Sequence, residues 1–195
     1  MKTKITEMLG IKHPIICGGM LWLCKPDLCA AISNAGGLGN ITAGNYDTGE
    51  ELRAALKQTK ALTDKPFGVN ITLLPSFRIT QETYDDYFRV CCEEKVAAME
   101  ISGAPAKRYL DQVHEAGIKI FHKVGSLRHA LNIEKLGYDG IFAAGIEEGG
   151  HPLNDDVTTM VLTPRIAESL KIPVVTTGGI ADGRGLAAAL TLGAE

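Results

Sequence analysis

The sequence predicts an α/β fold of the TIM (β/α)8-barrel type, and three observations point to it. Short apolar runs rich in branched residues recur along the 195 residues, as strands buried on both faces of a parallel sheet do. Each run is followed by a stretch with helical periodicity. The paired units repeat at a spacing of roughly 25 residues, the alternation that builds parallel sheets and, with eight units, closes a barrel. Counting gives seven units, so the predicted barrel stops before its eighth strand, in a single domain over 1–195. A doubly wound open sheet is the alternative. Its G-x-G-x-x-G after the first strand is absent, because Cys17-Gly18-Gly19-Met20 has the wrong spacing.

Taken in order, His13 to Cys17 is the first strand, stopping at Gly18-Gly19-Met20, and Pro26 to Ala35 the first helix, closing on Gly36-Gly37. Leu38 to Ala43 is strand. Asp47-Thr48 opens a helix with Leu52, Ala55 and Leu56 on one face, ending near Thr63-Asp64-Lys65-Pro66. Phe67 to Leu74 is a buried strand interrupted by Asn70, and a helix follows from Tyr84 to Lys95. Val96 to Ser102 is strand, Ala106 to Ala116 helix, and Lys119 to Val124 strand. Ser126 caps a helix that runs to Leu136 and ends at Gly137. Gly140 to Ala144 is strand, and a helix from Thr158 or Thr159 runs to about Leu170, with Pro164 implying a break or a late start. Pro173 to Thr177 is the last strand, and Arg184 to Leu192 the last helix.

Composition narrows the function. The net charge is −3 with mixed signs, so no basic stripe argues for nucleic acid and no basic amphipathic segment for a membrane surface. MKTKITEMLG lacks the apolar stretch of a signal peptide and no apolar run is long enough to span a bilayer, so a cytoplasmic protein is expected. Five cysteines, an odd number without C-x-x-C or zinc-ligand spacing, predict reduced thiols and no metal site.

In a β/α barrel the loops after the strands carry the chemistry. Here they hold Gly18-Gly19-Met20, Asn70, Lys123, the stretch Ala143 to Pro152 with Gly149-Gly150-His151, and Gly178-Gly179. Glycines at several strand ends suit a planar ligand read by backbone groups, and His151 can exchange a proton near neutrality. Each also has a plain structural reading. Gly18-Gly19 can be a tight turn, Asn70 can pair with a neighbouring loop, and Lys123 can be a solvated charge. Gly178-Gly179 can bind phosphate beside a helix start or serve only as a strand-to-helix turn, with Asp182 as the cap. His13, His114 and His129 are given no function.

PIICGGM, SNAGGLG, DKPFGVNITLL, HKVGSLRHA, EEGGHPLNDDVTT and IPVVTTGGIADGRGLAAALTLGAE, in this order from Pro14 to Glu195, resemble the nitronate monooxygenase (2-nitropropane dioxygenase-like) family of FMN-dependent TIM barrels. Related FMN-dependent enoyl-acyl-carrier-protein reductases share much of the pattern. The resemblance implies FMN as cofactor, with Gly19 and Met20 against the ring, Asn70 and Lys123 at its polar edge, and Ala144 and Gly149 beside Gly150 along one side. Gly178 and Gly179 would meet the phosphate. His151 matches the catalytic histidine, acting as base or polar anchor while an alkyl nitronate and O2 give a carbonyl compound and nitrite. Family members commonly carry glutamine at the place of Cys17, and they continue through a G-V-x-M-G-T-R-F strand and a substrate-covering region not found in these 195 residues. An open barrel edge would favour a homo-oligomer or strand exchange. The competing expectations are an enoyl-ACP reductase supplied by NAD(P)H and a catalytically silent scaffold.

Overall fold

The computed structural model describes residues 1–151 and 153–195. It divides into two compact units, Met1–Ile120 and Phe121–Glu195, with the boundary inside one strand.

The first unit starts with a helix that the periodicity does not reveal. α1 (Lys4–Leu9) is held at both ends, by a capping box between Thr3 and Thr6 and by Gly10 in the left-handed conformation. The predicted first strand does not form as one: its only pairing is a bridge between Ile16 and Leu38. Pro14 has no N–H to give, and Ile15 N–H turns back to the His13 carbonyl at 2.7 Å, so only a residue or two is left to pair.

α2 (Pro26–Asn34) and β1 (Gly39–Thr42) follow, then α3 (Gly49–Leu62), capped by the Thr48 hydroxyl. α3 buries Leu52, Ala55, Leu56 and Thr59, the spacing of a single helix face. β2 (Phe67–Leu73), α4 (Gln81–Glu94), β3 (Ala98–Gly103) and α5 (Leu110–Glu115) complete the unit. α4 starts earlier than predicted, because the Thr80 hydroxyl accepts the Thr83 N–H. α5 is shorter than predicted, its first turn being the 3-10 helix Lys107–Tyr109.

β1, β2 and β3 pair in parallel and in sequence order. One face of this sheet is apolar, with Ile41, Val69, Ile71, Met99 and Ile101 each at most 1% exposed. The opposite face carries Asn40, Thr42, Asn70, Glu100 and Ser102, all buried.

β4 (Lys119–Val124) enters the second unit, which continues with α6 (Leu127–Lys135), capped by Ser126 as predicted, and β5 (Gly140–Ala144). α7 (Thr159–Ala167) runs through Pro164 instead of breaking there. β6 (Val174–Thr177) and α8 (Gly183–Thr191) close it. β4, β5 and β6 again pair in parallel and in order.

The described residues therefore hold six strands, not seven. Sequential parallel order in each unit is that of a β/α-barrel sheet; a doubly wound sheet reverses its order at a switch point. The fold is α/β of the TIM-barrel type.

Candidate functional site

In the first unit, the loop Gly18 to Leu23 follows the Ile16 bridge, and each of its residues is exposed. Gly19 lies directly on Asn70: a Cβ at Gly19 would come within 2.1 Å of Asn70 Cγ and 2.2 Å of its Oδ1. Strand register sets Thr42, Asn70 and Glu100 side by side across β1, β2 and β3. The Glu100 carboxylate accepts the Gly19 N–H at 3.2 Å. Asn40, one layer away, donates from Nδ2 to the Cys17 carbonyl at 2.5 Å. Two buried polar side chains thus fix the backbone at both sides of Gly18. Met20 is 39% exposed at the loop's turn, where its carbonyl accepts the Cys24 N–H.

In the second unit, the loop after β5 is drawn back on itself. Ile146 N–H donates to the Val157 carbonyl and Gly145 N–H to that of Thr177. Lys123, near the end of β4, donates from Nζ to Glu148 Oε1 at 2.8 Å and to the His151 carbonyl at 2.9 Å. The Lys123 and Glu148 side chains are only 12% and 6% exposed, so this pair is shielded from solvent. It holds the loop while leaving the His151 residue exposed.

Ala144 is 4% exposed and pairs with Thr177. Gly149 and Gly150 face open space, with no heavy atom within 4 Å of an added Cβ. At Gly149, whose φ is not left-handed, the chain's own packing does not call for glycine, and a flat ligand lying close on the backbone would.

Thr159, first residue of α7, ties this loop to the next strand end. Its N–H and hydroxyl both reach Glu147 Oε2, at 2.9 and 3.0 Å, and the hydroxyl also lies 2.9 Å from the Gly178 carbonyl. The Thr159 N–H holds the Glu147 carboxyl below the usual carboxylate range. Gly178 and Gly179 both adopt positive φ, 110° and 72°, which lets β6 turn sharply at this carbonyl. Asp182 caps α8 as expected. Its Oδ1 accepts the Arg184 and Gly185 N–H groups at 2.9 and 3.3 Å. Those two donors of α8 are therefore already taken by the chain's own carboxylate.

The sequence singled out Gly19, Met20 and Asn70, and the structure brings Gly19 and Asn70 into contact in the first unit. In the second, it links Lys123 to the loop of Gly149, Gly150 and His151, and joins Gly178 to that loop's base. Pro152, the last residue of the predicted stretch, lies outside the described residues. Glu100, Glu147 and Glu148 were missed. Glu100 had a legible signal: in AMEISG, acid and hydroxyl alternate with apolar residues, the period of a strand with one polar face. Glu147 and Glu148 had none, because their partners lie 12 and 25 residues away. Among the described residues no cluster of His, Cys, Asp or Glu could hold a metal ion, and no helix is long and apolar enough to cross a membrane.

The family model for nitronate monooxygenase matches residues 2–195. A Rhodococcus jostii protein named (3aS,4S,5R,7aS)-5-hydroxy-7a-methyl-1-oxo-octahydro-1H-indene-4-carboxyl-CoA dehydrogenase is 38% identical over 194 residues, covering all of this chain and 52% of that protein. The nitronate monooxygenase of Paraburkholderia phytofirmans is 33% identical over 234 residues, covering all of this chain and 64% of its own length. Among solved structures, FabK from Thermotoga maritima superposes with a TM-score of 0.91 at 43% identity, over all of this chain and 60% of that one. The chain thus spans about half to two thirds of the length of these relatives. A match over nearly every residue, on a parallel α/β scaffold with glycine-bearing strand ends, places the chain in the nitronate monooxygenase family.

Proposed function

We propose that this chain is the flavin-binding part of an FMN-dependent oxidoreductase of the cytoplasm that oxidises alkyl nitronates with O2 to a carbonyl compound and nitrite. The observation that carries the reading is the second-unit loop. A shielded Lys123–Glu148 pair fixes it, glycines with free space on one side precede the histidine, and His151 is exposed at its end. Bound FMN would supply the redox chemistry that passes electrons from the nitronate to O2.

The chain's own residues would bind and orient. By the family resemblance, Gly19 and Met20 would present backbone to the ring and Asn70 its amide; Lys123 would offer the ammonium N–H not used by Glu148 and the His151 carbonyl. Ala144, Gly149 and Gly150 would line one side, and Gly178 and Gly179 would give backbone N–H groups to the phosphate. The open backbone at Gly149 and the positive-φ turn at Gly178-Gly179 fit such a group. His151 would hold a nitronate oxygen by donating from a ring nitrogen, or take the proton from a neutral nitroalkane carbon. The partners proposed are the small molecule and O2.

A second reading, an enoyl-thioester reductase supplied by NAD(P)H, is favoured by the 43% identity to FabK and the 38% identity to a protein named as a carboxyl-CoA dehydrogenase. One experiment separates them. FMN is added to the purified chain and followed by quenching of Trp22, the only tryptophan. The flavin complex is then mixed without oxygen with propane-2-nitronate or NADPH. Bleaching by the nitronate, lost in His151→Ala with FMN binding kept, is the expected outcome. Bleaching by NADPH alone selects the second reading, and failure to bind FMN leaves the silent scaffold.

A further inference from the structure

We propose that Cys17 and Cys24 form a peroxide-responsive thiol pair, closing to a disulfide across the loop that carries Gly19, Met20 and Trp22. Their sulfurs face each other at 3.7 Å, and each also points at the Gly18 carbonyl, at 3.3 and 3.4 Å. A disulfide needs about 2.05 Å, so the sulfurs must approach by roughly 1.7 Å.

The surroundings favour that movement over dispersal. Both cysteine backbones are anchored: Cys17 N–H donates to the Leu38 carbonyl, and the Cys24 carbonyl accepts from Thr42 N–H and Asn45 Nδ2. The residues between them, 18 to 23, are all exposed, and a Cβ added at Gly18 would meet nothing within 4 Å. The facing sulfurs are held close, and closure needs only that the two side chains turn toward each other.

The hydrogen bond between the two sulfurs lowers the Cys24 thiol and raises Cys17, so they titrate as one pair, whereas burial pushes Cys29 up to about 12 and raises Cys91 and Cys92 as well. Cys24 is sealed and Cys17 half-buried, so Cys17 is the sulfur that solvent reaches. In the reacting form the Cys17 proton passes along the hydrogen bond to Cys24, which places the thiolate on the sulfur that solvent reaches. That thiolate attacks the terminal oxygen of a hydroperoxide; the S–O bond forms, the O–O bond breaks, and an alcohol or water leaves. Cys24 then attacks the sulfenic sulfur, forming S–S and expelling water. The sum is two thiols plus one hydroperoxide giving a disulfide, one alcohol or water, and one further water.

The ring so formed would stiffen the loop at Gly19, and any effect on flavin affinity rests on the function proposed above. Chemical detection does not, so the two can fail separately. The reduced chain is treated with hydrogen peroxide, its remaining thiols are alkylated, and it is cleaved with chymotrypsin, which cuts after Trp22. Free thiols are expected to fall from five to three, with the fragments bearing Cys17 and Cys24 joined until dithiothreitol is added. In Cys24→Ser, dimedone is expected to label Cys17. A bond to Cys29 instead, sulfinic acid at Cys17 without a disulfide, or five thiols surviving peroxide would each overturn the proposal. If Cys24→Ser does not fold, the fragment map of the unaltered chain decides alone.

Discussion

Replacing Gly19 by alanine tests whether the first-unit loop is seated by contact with the sheet or merely passes over it. The backbone permits alanine, since Gly19 is not among the left-handed glycines, and fewer unfolded conformations would by themselves stabilise the variant by about 0.4–1 kcal/mol. Space forbids it. The new methyl would lie 2.1 Å from Asn70 Cγ and 2.7 Å from Asn70 Cβ, where ordinary contact begins at 3.4 Å. Turning the amide cannot move Asn70 Cβ, and β2 is paired on both sides. The loop must therefore lift, and the Gly19 N–H leaves Glu100. A hydrogen bond to a charged group is worth about 1.5–3 kcal/mol net. Set against the entropic gain, the loss is about 1–2 kcal/mol, or roughly 2–8 °C in Tm for a chain of this size. Thermal unfolding followed by circular dichroism measures it, in a cycle with Asn70→Gly, which removes the three atoms the methyl would strike. Alanine at 19 should cost little in that background. Equal effects in both backgrounds, with coupling under about 0.5 kcal/mol, would refute the contact.

Lys123→Met should destabilise the second unit by about 3–5 kcal/mol, because Glu148 stays buried without its partner; adding Glu148→Gln should recover much of this in urea denaturation. Gly178→Ala should weaken FMN binding measured by Trp22 quenching, since its φ of 110° disfavours a side chain and a Cβ would sit 2.8 Å from Thr159 Oγ1. The acid limb of stability should include Glu94, whose carboxyl is held below its usual range by the Lys60 ammonium first and the Arg53 guanidinium second. Its stabilisation is full above the unfolded value of about 4.3 and is lost as pH falls through the lower folded value. Glu94→Gln should therefore flatten the fall in Tm below about pH 4.3, and an unchanged slope would remove Glu94 from the account.

Elements with strong local chemistry were legible in the sequence. Lys119–Val124 and Gly140–Ala144 form as read, because short stretches built on Ile, Phe and Val or Ala and closed by glycine leave few alternatives. Ser126 and Asp182 cap their helices because a short oxygen-bearing side chain meets free N–H groups wherever a helix starts. His13 to Cys17 has strand composition, yet pairing is a property of partners, and only Ile16 finds one. α1 lacked a long periodic face, although Thr3, Thr6 and Gly10 spelled out its two ends. At the site, glycines and the lone loop histidine were visible as residue types. The carboxylates that fix them were not, since Glu100 reaches Gly19 across 81 residues and Glu148 reaches Lys123 across 25.

Those carboxylates explain how loops rich in glycine keep a shape. Glycine gives close approach at the expense of order, so a loop built for a flat ligand is also the loop most prone to wander. In each unit the remedy is an acid aimed at the loop from regular structure or from the loop's own base, buried at Glu100, half-buried at Glu148 and exposed at Glu147. Glu100 on β3 takes the Gly19 N–H, Glu148 takes Lys123 from β4, and Glu147 takes Thr159 at the start of α7, whose hydroxyl meets Gly178. Neutralising such an acid should loosen its loop while the strands stay intact, so ligand affinity should fall further than Tm. Glu100→Gln is the sharpest case. It keeps the shape and an accepting oxygen but weakens the bond to Gly19, and hydrogen exchange at the Gly19 amide should quicken while exchange at Val69 and Ile101 in the core does not. Faster exchange throughout β2 and β3 would mean that Glu100 serves the sheet and not the loop.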